Sequence, residues 1–434
     1  MKLIFILILS LIFPNNWKYS KITIPENFIP DQFQVYTGLD VLELSEFNLL
    51  KGKRIALVVN HTSVNRIGIG ILDILKSYPK VIVKTIFTPE HGFFGKVEAG
   101  KKINSESYQI DDYKIISLYG KSKKPKIGEL KDIDLVLFDI QDIGSRFYTY
   151  ASTMSLVMEA CAQTGIQFLI LDRPNPLGGT LVQGPSLQRE FSSFVGMHPF
   201  PVRHGQTIGE LALIINESSW LKSGINADLT IIPAVNWQRK DFYSGPLTGW
   251  VPPSPNIPDL ETAIIYSGMC LFEGTNISEG RGTDSPFKLI GAPWLDPKKV
   301  IKQLGSSIIN GIEIKPIQFI PQSIPGKSQY PKFLNENCNG LSFNLLESED
   351  SNPIKTAVNL MFAIKEVHGE NFEILDSHFL DKLYGSDKLR KMIQSGGKPA
   401  QLFSQWDSTH YHVKPDTNLC GFIPPEQFFI YPIN

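Results

Sequence analysis

Arg54-Ile55-Ala56-Leu57-Val58-Val59-Asn60 is a short apolar run that stops abruptly at polar residues. The chain repeats this pattern. Val81–Phe87 is rich in β-branched residues, and Leu135–Phe138 and Gln167–Leu171 are further apolar runs. Between them, Gly70–Leu75 has helical spacing, and Ser155–Thr164 reads as a helix closed by Gly165. Near-continuous apolar strands separated by helices predict a parallel sheet covered on both faces. The expected fold class is α/β, with a Rossmann-like, mostly parallel sheet domain.

Outward from this core the texture changes. Organised sequence begins near Gly38, which puts the sheet domain at 38–205. From 206 to 434 a smaller α+β domain is expected. It opens with a helix over Thr207–Lys222, where Thr207 as N-cap and Glu210 form a capping-box pattern. Residues 250–258 are rich in proline and cannot be regular helix or central strand. A second helical run covers Thr356–Val367.

The chain has 434 residues, which fits about two domains. A net charge of -1 gives no global basic field to hold nucleic acid. Residues 3–13 (LIFILILSLIF) follow Met1-Lys2 and have the length of a signal-peptide core, short for a membrane span. We expect a signal peptide over 1–20, a periplasmic or secreted protein, and no stable membrane insertion after cleavage, with an uncleaved anchor as the alternative. Cys161, Cys270, Cys338 and Cys420 are widely spaced without a C-x-x-C pair, so buried thiols or disulfides are expected rather than a zinc knuckle.

In an open parallel sheet, ligands bind at the carboxyl ends of the strands. Here those ends carry Asn60-His61, Glu90-His91, Asp139 to Arg146 (with Gln141 and Asp142), and Asp172-Arg173-Pro174-Asn175. Four strands thus deliver ionisable or amide groups to one edge, and Arg203 and His204 follow nearby. A second cluster, Glu273 to Asp284, packs Glu273, Glu279, Arg281 and Asp284 among three glycines. Neither a phosphate-binding glycine motif nor G-x-S-x-G follows the strands, and no H-E-x-x-H occurs in these motifs. No nucleotide cofactor, serine nucleophile or metal is therefore expected. Carboxylates, amides, histidines and arginines with Trp and Tyr nearby suit carbohydrate, where cleavage needs a proton donor at the leaving oxygen.

Eight segments carry a family resemblance: NHTSV (60–64), FTPEHGFFG (87–95), FDIQDIGSRFYTY (138–150), LDRPNPLGG (171–179), PFPVRHGQTIGEL (199–211), WVPPSPNIPDLETA (250–263), LFEGTNISEGRGTDSPF (271–287) and GAPWLDP (291–297). Together they resemble the exo-β-N-acetylmuramidase (NamZ-type) family. Gln206 and Ser267 depart from its pattern without removing an ionisable group. The resemblance implies an active-site cleft between the two domains. It also implies release of terminal β-1,4-linked N-acetylmuramic acid from the non-reducing end of peptidoglycan-derived glycans (MurNAc-GlcNAc).

On that reading Glu90, the glutamate of the PEHG motif, is the expected general acid, in a partly apolar setting beside Phe93 and Phe94. His91 is grouped with it. Glu273 and Glu279 are expected to supply the second catalytic group, followed by Asp139 and Asp172. Arg173, Arg203 and Arg281, with Arg146 behind them, are expected to pair with the lactyl carboxylate. Asn60, His61, Gln141 and Asn175 are expected on sugar hydroxyls, with Asp142, His204 and Asp284 in the same site. Trp250 or Trp294 would stack on a sugar face or pack in the core. A non-catalytic muropeptide-binding protein is the competing reading; the surplus of carboxylates in the motifs speaks against it.

Overall fold

A computed structural model describes residues 20–23, 31, 34–95, 107–110, 113–243, 245–347 and 349–406. The apolar leader at 3–13 and Cys420 lie outside them. In chain order the strands are β1 (Ser20–Ile22), β2 (Arg54–Val59), β3 (Ile82–Thr88), β4 (Ser107–Ile110), β5 (Tyr113–Ser117), β6 (Leu135–Asp139) and β7 (Gln167–Leu171). Then come β8 (Gln183–Ser186), β9 (Pro201–Arg203), β10 (Leu229–Ile232), β11 (Leu289–Ala292), β12 (Ile308–Ile309), β13 (Ile312–Phe319) and β14 (Cys338–Leu345).

The first layer is an eight-stranded sheet in the order β1-β10-β7-β6-β2-β3-β5-β4. All neighbours are parallel except the edge pair β4–β5. Alternate side chains of β2 enter different cores, as strand geometry requires. Ile55, Leu57 and Val59 pack with the helices Gly38–Leu44 and Ile71–Lys76 on one face. Ala56 and Val58 pack on the other face, with Met154, Val157 and Met158 of the helix Tyr150–Thr164. This is the α/β architecture read from the apolar runs. The second layer is an antiparallel sheet, β11-β14-β13-β12, backed by the helices Leu260–Met269, Pro297–Leu304 and Pro353–His368. Its core is continuous with that of the Tyr150–Thr164 face, so the two layers are fused through apolar packing.

Two boundaries differ from the sequence expectation. The division at 205/206 falls inside the first layer, because β10 pairs with β7 and completes that sheet. Thr207 does cap a helix, with the reciprocal Glu210 bond, but the helix ends at Glu217. Ser219 takes a left-handed conformation (φ 54) and turns the chain away. Cys161, Cys270 and Cys338 are buried free thiols. Among the described residues no helix is long and apolar enough to cross a membrane.

Candidate active site

β3 ends at Thr88, and the chain then turns sharply through His91 (φ 71) and Gly92 (φ 70). Left-handed backbone at a histidine is strained, and such strain clusters at functional sites. The turn leaves Glu90 only 8% exposed, on the wall of a cavity of about 870 Å³. Thr149, at the entry to the helix Tyr150–Thr164, donates its hydroxyl to Glu90 Oε2 over 2.7 Å. His91 lines the same cavity.

The second layer supplies the other charged wall. The 273–284 loop leaves a 3₁₀ turn over Cys270–Gly274 and passes through Gly280 and Gly282, both left-handed. A Cβ on Gly282 would lie 2.6 Å from the Gln322 carbonyl oxygen, so only glycine allows the loop to pack there. Arg281 donates to Glu273 Oε1 through Nε (3.1 Å) and Nη2 (2.7 Å) and lies 3.5 Å from Glu279 Oε1. Lys332 Nζ donates to Glu279 Oε2 (3.0 Å) and to the carbonyls of Phe272 (3.0 Å) and Ile277 (2.9 Å). Burial works to raise the Glu279 carboxyl, but Lys332 and Arg281 outweigh it and hold it below the ordinary range. Burial likewise opposes the charge on Arg281, and Glu273 and Glu279 keep the guanidinium firmly protonated.

Between the walls lies an aromatic floor. Tyr148 packs edge-on to Tyr150 (4.7 Å) and Tyr266 (6.2 Å). Tyr266 packs edge-on to Phe147 (5.3 Å) and Phe287 (4.7 Å), and the Arg281 guanidinium sits 4.9 Å over Phe287. Among the described residues, three carboxylates (Glu90, Glu273, Glu279) line the cavity against five cations (Lys123, Arg281, Lys327, Lys332, Lys382). The motifs alone suggested a surplus of acids; the assembled cavity carries a surplus of cations, because lysines from 123, 327, 332 and 382 converge on it.

Of the residues singled out in the sequence, Glu90, His91, Glu273, Glu279 and Arg281 come together here. The others do not line this cavity, because the loops at the sheet edge are themselves covered and their polar groups turn back to bind the chain. Asp139 is fully buried against Arg173, with bonds of 2.5 and 2.8 Å, and Arg173 also donates to the Val64 carbonyl. Asp172 accepts from the Thr207 hydroxyl and the Gly209 N–H, which places it under a helix start. Asn60 accepts from Thr62, and Asn175 accepts from the Leu177 N–H. Gln141 donates to the carbonyls of Asp142 and Pro174. His61 Nε2 meets the Pro252 carbonyl at 2.7 Å.

The expected lactyl-binding arginines other than Arg281 are similarly committed. Arg146 donates to the carbonyls of Pro185, Phe200 and Leu383, and Arg203 to that of Leu177. Buried Asp142 binds the Gly144 N–H and stands 3.8 Å from His204 Nε2. Burial pushes Asp142 up to about 7 and Asp172 up to about 6. Burial, then the Arg146 charge, lowers His204 to about 3. Asp284 is exposed and does not line the cavity. Trp250 donates to the Ile257 carbonyl and packs on Tyr243, while Trp294 packs on His368. Missed at sequence level were Thr149, Tyr148, Tyr266, Phe287 and Lys332. Thr149 and Tyr148 lie within the quoted 138–150 segment and Phe287 ends the quoted 271–287 segment, whereas Lys332 carries no local signal.

Carboxylates at the two ends of an aromatic floor, on an α/β scaffold, make a site of the glycoside-cleaving kind. Residues 55–261 match the N-terminal description of exo-beta-N-acetylmuramidase NamZ, and residues 264–412 match its C-terminal description. The chain is 38% identical over 376 residues to the peptidoglycan beta-N-acetylmuramidase NamZ of Bacillus subtilis (strain 168), covering 87% of this chain and 88% of that protein. Two crystal structures of DUF1343 family proteins from Bacteroides fragilis NCTC 9343 are similar. One has a TM-score of 0.75 at 28% identity, covering 87% of this chain and 99% of the other. The second has a TM-score of 0.69 at 35% identity, covering 86% and 95%. The chain belongs to the exo-β-N-acetylmuramidase NamZ family of glycoside hydrolases.

Proposed function

We propose that this protein releases terminal β-1,4-linked N-acetylmuramic acid from the non-reducing end of peptidoglycan fragments. The observation that carries the reading is one cavity with Glu90 on one wall and the Glu273–Arg281–Glu279–Lys332 network on the other. Glu90, held by Thr149, protonates the departing glycosidic oxygen. Glu273 is the second carboxylate. Its carboxylate is bonded by Arg281 alone in this network and its side chain is 21% exposed, whereas the Glu279 carboxylate is clamped by both cations and its side chain is 6% exposed. Its charge faces the positive charge that develops on the sugar, or orients the 2-acetamido group for attack on the anomeric carbon.

The surplus of cations suits a substrate whose lactyl group is itself a carboxylate. Within the network Arg281, its Nε and Nη2 bonded to Glu273, still lines the cavity and adds its charge to the field that meets the lactyl carboxylate. Action outside the cytoplasmic membrane, after export by the apolar leader at 3–13, belongs to the same proposal.

The test is release of 4-nitrophenol from 4-nitrophenyl β-N-acetylmuraminide beside the matching N-acetylglucosaminide. Turnover of the muraminide alone is expected. Binding of N-acetylmuramic acid without turnover of either glycoside or of a MurNAc-GlcNAc disaccharide would instead establish a binding protein.

A further inference from the structure

The cavity floor contains a buried hydroxyl without a regular hydrogen bond among the described residues. Tyr148 is 7% exposed and lines the cavity, and among the described residues its hydroxyl finds no partner in regular hydrogen-bond geometry. The Tyr150 hydroxyl is its nearest polar neighbour and acts on it by charge and as a poorly aligned hydrogen-bonding contact, but it donates its own proton to the Pro253 carbonyl (2.7 Å) and already accepts from Asn60 Nδ2 (3.1 Å). Buried donors are almost always paired in folded proteins, so an unpaired one needs an explanation. Packing does not let it turn away, because the Tyr148 ring is held edge-on between Tyr150 and Tyr266 at interplanar angles of 76° and 89°.

The other unpartnered oxygen in the lining, Ser193 Oγ, differs in kind: its residue is only partly buried and a serine hydroxyl rotates. Unpartnered Asp142 Oδ1 and His204 Nε2 belong to residues that do not line the cavity.

We propose that the Tyr148 hydroxyl donates a hydrogen bond to an oxygen of the sugar bound beside Glu90, and is a substrate-contacting residue of the catalytic site. The inference rests on the muramidase reading above. Chain position supports it: Tyr148 immediately precedes Thr149, which holds Glu90, so the same turn presents the acid and the donor. Burial first, then Tyr150 and the Glu90 charge, push the phenol well above its ordinary value. It therefore stays a neutral donor throughout the working pH range and does not compete with Glu90 as the proton source.

Tyr148→Phe keeps the ring and removes only the oxygen. With substrate bound, an acceptor on the sugar loses its partner, and kcat/KM falls about ten- to hundredfold. The loss is equal for the 4-nitrophenyl muraminide and the MurNAc-GlcNAc disaccharide, since the bond is to the glycon. The Glu90→Gln deficit, in contrast, shrinks with the better leaving group. Thermal melting of the free variant is unchanged or raised, because the hydroxyl removed makes no well-formed hydrogen bond in the free protein; a structural hydroxyl would lower it. Wild-type turnover with Tyr148→Phe within twofold on both substrates overturns the proposal alone. A wild type that hydrolyses neither substrate overturns the muramidase reading on which it rests.

Discussion

The Thr149 hydroxyl donates to Glu90 Oε2 over 2.7 Å, tying the turn after β3 to the start of the helix Tyr150–Thr164. Thr149 acts on the acid itself, so it is a positioning residue. Thr149→Val is nearly isosteric and removes the donor. We expect kcat to fall about tenfold with KM little changed. Thr149→Ser should restore most of the rate. Michaelis curves for the three forms check this; equal kcat in wild type and Thr149→Val would remove the hydroxyl from the mechanism.

Glu90→Gln keeps the hydrogen-bond acceptor for Thr149 and removes the proton. The expected loss in kcat on the disaccharide is about 10²- to 10⁴-fold. Added azide or formate should rescue none of the acid role on the disaccharide, where a proton must reach a poor leaving group. Full retention of disaccharide turnover would move the acid to the Glu273 wall.

Asp139 and Arg173 stood out in the sequence as site residues, and the structure makes them a buried ion pair under the sheet edge. Asp139→Asn leaves the Arg173 charge uncompensated in an apolar setting. We expect a loss of roughly 3–5 kcal/mol in a urea unfolding titration. KM of the remaining folded enzyme should stay near wild type. A large rise in KM with normal stability would return the pair to substrate binding.

Asp142 and His204, 3.8 Å apart and buried, give opposite pH dependences. Burial raises Asp142 to about 7, so the native protein keeps a proton that the unfolded chain releases above pH ~4. Its contribution to stability is fully present below pH ~4 and is lost as pH rises toward 7. Burial lowers His204 to about 3, so its contribution is present above pH ~6.5 and lost as pH falls toward 3. Asp142→Asn removes the first slope. The variant should be more stable than wild type at pH 8, by roughly 1–3 kcal/mol, and gain nothing at pH 4. Equal differences at both pH values would show that Asp142 does not titrate in this range.

The apolar runs at 54–60, 81–87, 135–138 and 167–171 were enough to place four parallel strands, because a strand buried on both faces must be apolar throughout. Thr207 and Glu210 announced a helix start, since a capping box is satisfied within four residues. Glu90 was legible for the same local reason: a polar residue just past a buried strand lies at the sheet edge. The sequence by itself therefore determined the sheet, the edge where polar groups gather, and the two acidic motifs.

Only the tertiary structure decided which of those groups meet a cavity. Arg146, Arg173 and Arg203 have the composition of ligand-binding residues, yet each finds protein carbonyl or carboxylate partners first, at Leu383, Asp139 and Leu177. Nothing local distinguishes them from Arg281, which is bonded to Glu273 yet faces the cavity. Lys332 clamps Glu279 from 53 residues away, and Tyr148, Tyr266 and Phe287 form one floor only after the two layers pack. Periodicity and capping act over a few residues and can be read along the chain. The partner of a buried charge is chosen by long-range packing, which the order of residues encodes only through the folded whole.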